Sequence, residues 1–158
     1  MGQQQLLLLV LSTVIVGLAT VAGIQAFEQG SVRANQDALT NTAIKIASDI
    51  QAQTEEPSQF GGYDGDLSSA ADNKNGVSLS ELGYDTSSGI YSTTDGECAL
   101  STGGSNTASP SNGSQVEAPS GTTGNIVVTC ASIDNDVSVH ITGLDSDGLE
   151  TVAKTTGS

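Results

Sequence analysis

The residues of this chain that could take part in chemistry are few and far apart in the sequence. Cys98 and Cys130 are its two cysteines, and His140 is its single histidine. A tetrahedral metal site needs more ligands than these three residues supply. His140 is predicted on the outward face of a strand, with no serine or cysteine nucleophile evident beside it. We therefore expect no enzyme activity, no metal and no cofactor.

The two cysteines are better suited to a structural role. An even pair in a polar, loop-rich region behind an apolar N-terminus favours a disulfide formed in an oxidising compartment. The alternative is a pair of free, buried thiols in a cytosolic protein. We predict the bridge between Cys98 and Cys130, which would contribute on the order of 3–4 kcal/mol to the stability of a weakly cored domain.

Two acidic turn sequences have spacings that resemble a calcium loop. Residues 145–150, Asp-Ser-Asp-Gly-Leu-Glu, lack a third early oxygen ligand and the distant bidentate glutamate. Asp64-Gly65-Asp66 offers fewer ligands still. We interpret both as solvated carboxylates in turns.

One modification motif lies in the longest polar stretch of the chain. Residues 101–124 consist mainly of Ser, Thr, Gly, Asn and Pro, which predicts a surface loop. Within it, Asn112-Gly113-Ser114 fits the acceptor pattern for N-glycosylation. An unmodified loop remains the alternative, because a three-residue pattern is common by chance.

The charge is strongly unbalanced. Eighteen acidic residues against four basic ones give a net charge of −14, which repels nucleic acid phosphates. We therefore expect no nucleic acid partner. Adaptation to salty surroundings and an acidic extracellular protein of ordinary habitat both fit this composition.

The N-terminal part of the chain is predicted to be one long helix. Residues 6–27 contain no charge and would extend ~33 Å as a helix, enough to cross a bilayer core. A secretory signal would carry basic residues in front of a shorter apolar stretch, so we expect this segment to be retained. Beyond it, one apolar stripe continues the helical pattern as far as the turn before Pro57: Val32, Leu39, Ala43, Ile46 and Ile50. We predict a helix from about Gly2 to about Thr54, with local unwinding at Gly30.

The remainder of the chain is predicted to be a small β domain. Alternating apolar residues and turn signals predict five strands: Val77–Leu82, Gly89–Ser92, Asn125–Ala131, Val137–Thr142 and Leu149–Lys154. The last three would form an antiparallel meander, with a turn at residues 133–136. The predicted fold class is α+β, in which a helix with an apolar first half and an amphipathic second half packs on a small antiparallel sheet. The predicted division is residues 1–56 and residues 57–158.

Over residues 1–54 the chain resembles the type IV pilins and their pilin-like relatives. The resemblance consists of a polar position 5, an apolar run from Leu6, the sequence Ala-Phe-Glu-Gln at residues 26–29, and a polar amphipathic stretch after it. Three features depart from the family pattern. Gln5 stands where the family usually has glutamate, no proline interrupts the apolar run near Ala22 and Gly23, and no basic leader precedes Met1. Either the chain is already processed or Met1 is the initiator.

The resemblance implies a structural subunit of an extracellular helical filament on the cell surface. Subunits would be held in the inner membrane, cut by a prepilin peptidase and stacked with copies of themselves by the pilus assembly machinery. Met1 and Gln5 would set the register of neighbouring subunits. The implied assembly core consists of Leu6, Leu7, Leu8, Leu9, Val10, Leu11, Val14, Ile15, Val16, Leu18, Val21, Ile24 and Phe27. The alternative is a single-pass, membrane-anchored surface protein with a binding or adhesion domain.

Overall fold

One long helix and a six-stranded antiparallel sheet give the protein an α+β fold, as the sequence predicted. The computed structural model of the chain describes residues 2–72, 76–102, 110, 126–133, 135–144 and 148–155, the last four by their backbone alone. By its internal contacts the chain divides into two units, Met1–Ala34 and Asn35–Ser158. We call the first the N-terminal unit and the second the globular unit.

Helix α1 spans Gly2–Glu55 and crosses the boundary between the two units. The predicted unwinding at Gly30 is wrong, because α1 is continuous there. One glycine costs a helix about 1 kcal/mol, which is too little to interrupt a helix that extends for many turns on either side. The boundary between the units falls inside α1, whereas the predicted division was at the helix end, after residue 56. It falls there because the last part of α1 belongs to the core of the globular unit.

Two short helices follow α1. A 3₁₀ helix spans Ser58–Phe60, directly after Pro57, which cannot continue a helix. Helix α2 spans Leu67–Ala70. Its N-terminus is capped by Asp66, whose carboxylate accepts a hydrogen bond from the Ser68 N–H at 2.9 Å.

The sheet is a meander in which each strand pairs antiparallel with the next along the chain. Its strands are β1 (Thr86–Ser87), β2 (Ile90–Ser92), β3 (Glu97–Thr102), β4 (Ile126–Ala131), β5 (Asn135–Ile141) and β6 (Leu149–Thr155). The predictions for β2, β4, β5 and β6 are confirmed to within two residues at each end. Strand β5 begins at Asn135, inside the predicted turn. Strands β1 and β3 were not predicted, because their sequences are short or dominated by small and polar residues.

The predicted strand Val77–Leu82 is wrong. Val77 and Leu79 are buried as the alternation required, but residues 79–83 form turns. The physical reason is a reciprocal capping arrangement. The Ser78 N–H donates to the Glu81 carboxylate at 3.1 Å, and the Glu81 N–H donates to the Ser78 hydroxyl at 3.4 Å.

The core of the globular unit lies between the end of α1 and one face of the sheet. Leu39, Ala43, Ile46 and Ile50 of the predicted stripe are fully buried there, joined by Ala47. The facing strands contribute the residues that alternation had placed on one face: Ile126, Val128 and Cys130 of β4 and Val137, Val139 and Ile141 of β5. Burial of an aliphatic side chain of this size contributes about 1.5–3 kcal/mol, so the helix supplies a large share of the core energy.

Gly96 is required where α1 approaches the start of β3. A Cβ atom at this position would lie 2.4 Å from the Ala131 carbonyl oxygen and 2.9 Å from Leu39 Cδ2. We expect Gly96→Ala to lower the free energy of unfolding by about 1–3 kcal/mol, because the backbone of β4 cannot move away cheaply. Urea unfolding followed by circular dichroism measures this change.

Gly143→Ala is the matched control, since its Cβ atom would meet its nearest atom at an ordinary 3.5 Å. Equal stability losses in the two variants would contradict this account of Gly96.

Candidate functional site

The candidate site is the apolar helix surface, which we define as the large apolar side chains of α1 from Leu6 to Phe27. All thirteen residues predicted for the assembly core belong to it, and each is between 51% and 80% exposed. By length and composition alone, α1 is long and apolar enough to cross a membrane, and its most apolar window is entirely unburied. No residue that the structure describes covers this surface.

Three hydroxyl groups interrupt the apolar helix surface, and each is satisfied within the helix. Ser12, Thr13 and Thr20 donate to carbonyl oxygens three residues earlier, at 3.0, 2.9 and 2.8 Å. A hydroxyl that is bonded in this way does not need water or another polar partner. These three hydroxyls can therefore enter an apolar environment at little polar cost.

A line of small residues runs along the same helix. Ala19, Gly23, Ala26 and Gly30 follow one another at spacings of four, three and four, which places them on one face. A Cβ atom added at Gly23 or at Gly30 would meet nothing within 4 Å. Small residues at such spacing let a second helix approach closely.

The two residues predicted to set subunit register remain a prediction. Gln5 lies in α1 and is exposed, whereas Met1 lies outside the described residues. The amide of Gln5 can accept a hydrogen bond from an N-terminal amine but cannot neutralise its charge.

Cys98 and Cys130 form the predicted disulfide. They lie directly opposite each other on β3 and β4, with Cα atoms 4.0 Å apart, and both are fully buried in the core. The two cysteines are 32 residues apart in sequence, and their bridge joins β3 to β4. The even cysteine count predicted the pair, but the strand that positions Cys98 was missed.

A polar cluster on α1 and the residues before β1 was also missed. The Tyr84 hydroxyl donates a hydrogen bond to the Asp49 carboxylate, and the Tyr84 ring packs edge-on against Tyr91 at 4.9 Å. Burial, followed by the Asp49 carboxylate, raises the pKa of Tyr84 far above its usual value. Lys45 Nζ lies 5.9 Å from the centre of the same ring. These contacts fix α1 to the chain that enters the sheet.

Asn35 makes a second polar connection within the globular unit. Its amide group donates to the Asp95 carbonyl oxygen at 2.8 Å. Its own oxygen accepts from the Ser132 hydroxyl at 2.7 Å and from the Asn135 amide at 3.2 Å. One helical side chain thus joins the loop before β3 to the turn between β4 and β5.

The carboxylates that were interpreted as turn residues behave in that way where they are described. Asp64 accepts from the Ser58 N–H, and Asp66 caps α2. Hydrogen bonds from Ser58 and Ser69, respectively, lower the pKa of these two carboxyls. No group of three or more His, Cys, Asp or Glu side chains within the described ranges could hold a metal ion. Asn112, Asp145, Ser146 and Asp147 lie outside the described residues.

The prediction that His140 faces outward is wrong. His140 is only 2% exposed, because the second face of the sheet is also buried, including its neighbours Val127 and Ser138. Neither ring nitrogen has a hydrogen-bond partner among the described groups. Burial lowers the pKa of His140, and the Glu150 carboxylate opposes this shift. The residues directly opposite it on β4 and β6 are Val127 and Glu150, neither of which is a nucleophile of the serine or cysteine type.

No known protein family, curated protein or solved structure matches this chain.

We expect Cys98→Ser to lower the free energy of unfolding by about 3–4 kcal/mol, because the bridge no longer restricts the unfolded chain. Thermal unfolding with and without reductant measures this loss. The double variant Cys98→Ser/Cys130→Ser should lose no more than the single variant, since both lack the same bond. Unchanged unfolding of the single variant would contradict a stabilising disulfide.

The lowered pKa of His140 predicts a pH dependence of stability. Between the pKa in the folded state and the ordinary value of 6.5, the unfolded chain binds more protons. The contribution of neutral His140 to the free energy of unfolding is therefore complete above pH 6.5 and is lost as the pH falls below this value. We expect the melting temperature to drop between about pH 7.5 and about pH 5.5, and the drop to be smaller in His140→Gln. Identical pH profiles of the two proteins would contradict burial of a neutral imidazole.

Proposed function

We propose that this chain is the structural subunit of an extracellular helical filament of the type IV pilin kind. The observation that carries the proposal is the apolar helix surface, whose thirteen large side chains are all at least half exposed. In the filament, the apolar helix surfaces of neighbouring copies would cover one another.

The energy available from such packing is large. Burial of about 1,500 Å² of apolar surface per copy, at ~25 cal/mol per Å², corresponds to a driving force of order 35 kcal/mol before the costs of ordering. A head-to-tail contact of this kind, repeated without closure, produces an open filament.

Three features of α1 support packing against other helices. The line of small residues permits close approach of a second helix. The hydroxyls of Ser12, Thr13 and Thr20 are already bonded and need no partner across an interface. The helix also continues without interruption from Gly2 to Glu55, whereas a simple lipid anchor requires only a flexible linker after its span.

The charge distribution supports an arrangement with the globular unit on the outside. Glu28 and Arg33 are the only charged side chains within residues 1–34, and they cancel. Residues 35–158 therefore carry the whole net charge of −14, since the total for the chain is 4 − 18 = −14. Such a unit remains well solvated, while the nearly neutral N-terminal unit loses little by leaving water.

By the resemblance, the route to the filament would begin in the inner membrane. Prepilin peptidase and the pilus assembly machinery would be partners at that stage. The apolar helix surface is long enough to be held in lipid until neighbouring helices replace it.

The second candidate is a single-pass, membrane-anchored surface protein with a binding or adhesion domain. The membrane-spanning length of the same helix favours it. Electron microscopy of material sheared from the cell surface decides between the two. Regular fibres that contain this chain support the filament, and recovery of the chain only in membranes supports the anchor.

We expect Leu9→Asp to abolish filament formation, because an unpaired carboxylate in an apolar helical core is very costly. The globular unit should keep its melting temperature, since residue 9 lies outside it. Leu9→Ile is the control and should assemble normally. Filaments of normal yield from Leu9→Asp would count against helix packing as the basis of assembly.

A further inference from the structure

Strand β6 forms one edge of the sheet. At the opposite edge, β1 contains only two residues, whereas β6 contains seven. Within the part of the chain that the structure describes, β5 is the only strand that pairs with β6. A long edge strand without proline, glycine or a bulge is a template for pairing with another chain.

Two backbone hydrogen bonds show which groups of β6 face this edge. The Ser132 N–H donates to the Asn135 carbonyl at 2.8 Å, and the Thr142 N–H donates to the Gly148 carbonyl at 2.8 Å. Hydrogen-bonded positions alternate along an antiparallel ladder. Both bonds lead to the same pattern, in which the N–H and C=O groups of residues 150, 152 and 154 face β5. Those of residues 149, 151, 153 and 155 therefore face away from the sheet.

The sequence of β6, Leu-Glu-Thr-Val-Ala-Lys-Thr, is complementary to itself in the antiparallel direction. Two copies that overlap over all seven residues have Val152 opposite Val152. In this register Glu150 of each copy lies opposite Lys154 of the other, so two pairs of opposite charge form. The outward-facing groups of Thr151 and Ala153 also come opposite each other, as the hydrogen-bonded positions of a ladder require.

We propose that β6 of one copy pairs antiparallel with β6 of a second copy, in the register centred on Val152. A shift by two residues in either direction keeps the backbone ladder but shortens the overlap and separates the charges. Opposite charges directly across a ladder stabilise it, and like charges destabilise it. Lys154 is one of only four basic residues in a chain with eighteen acidic ones. Its register position is opposite Asp136 on β5 of its own chain, and only the register centred on Val152 also places it opposite Glu150 of the second copy.

This contact is distinct from the packing of the apolar helix surfaces. It has two-fold symmetry and closes on itself, so it joins copies in pairs and cannot by itself extend a filament. It also does not depend on the proposed function, because it uses only the globular unit.

Cross-linking of the full chain in detergent tests the proposed register. Val152→Cys places two thiols opposite each other, with Cα atoms about 4.5 Å apart at a position that is not hydrogen-bonded, so we expect a covalent dimer under mild oxidation. Thr155→Cys is the control, because the two thiols would be six residues apart along the ladder, about 20 Å.

Both cysteine variants are also examined in the Leu9→Asp background, which removes helix packing. The proposal requires more dimer from Val152→Cys than from Thr155→Cys in both backgrounds. Equal yields, or a Val152→Cys dimer that disappears in the Leu9→Asp background, would overturn it. Failure of filament assembly alone would leave the cross-linking difference intact.

Charge exchange gives a second test, by sedimentation of the dimer in detergent. Glu150→Lys and Lys154→Glu each place like charges opposite each other, and we expect each to weaken dimerisation several-fold. Glu150→Lys/Lys154→Glu restores opposite pairs and should restore the dimer.

Glu150→Lys is the sharper variant because it also reduces the net negative charge of the chain. General repulsion between acidic subunits would then predict stronger association, the opposite of the proposed effect. Stronger dimerisation of Glu150→Lys, or no rescue in the double variant, would overturn the proposal. Thermal unfolding verifies that each variant is folded.

Discussion

The need to remove apolar surface from water governs how helix α1 and the sheet are arranged in this protein. Helix α1 satisfies its internal backbone hydrogen bonds along its length, but its side chains meet different surroundings in the two units. In the globular unit, Leu39, Ile46 and Ile50 are fully buried against the sheet. From Leu6 to Phe27 the same helix has no described cover. The free energy of hydrophobic burial depends on the buried area and has no directional requirement. Any apolar partner of sufficient length could therefore cover residues 6–27.

The globular unit shows how a domain with few large side chains can still have a core. The chain has no tryptophan and only two phenylalanines, and Phe60 is 80% exposed. The helix provides the aliphatic side chains that the polar half of the chain lacks, and the Cys98–Cys130 bridge limits the freedom of the unfolded state. The hydrogen bonds of Asp49 and Asn35 have a defined geometry, unlike the apolar contacts of the core.

The net negative charge of the chain lies in the globular unit. Electrostatic repulsion between such units opposes assembly at low ionic strength and is largely screened at high salt. The N-terminal unit, which carries the exposed apolar surface, has no net side-chain charge. Charge repulsion therefore does not act directly between the apolar helix surfaces of two copies. In the proposed filament, this separation along one chain would let an acidic exterior coexist with helices that pack against one another.

Features that depend on local patterns could be predicted from the order of the amino acids alone. The length of α1, the buried stripe, the alternation in β4 and β5 and the cysteine pair could all be predicted, because periodicity and composition act over a few residues. Local patterns did not predict that residues 79–83 form turns, that β3 joins the sheet, that Tyr84 binds Asp49 or that His140 is buried. Each of these depends on groups distant in sequence, or on competition between a local hydrogen bond and a strand, and a one-dimensional pattern does not contain that information.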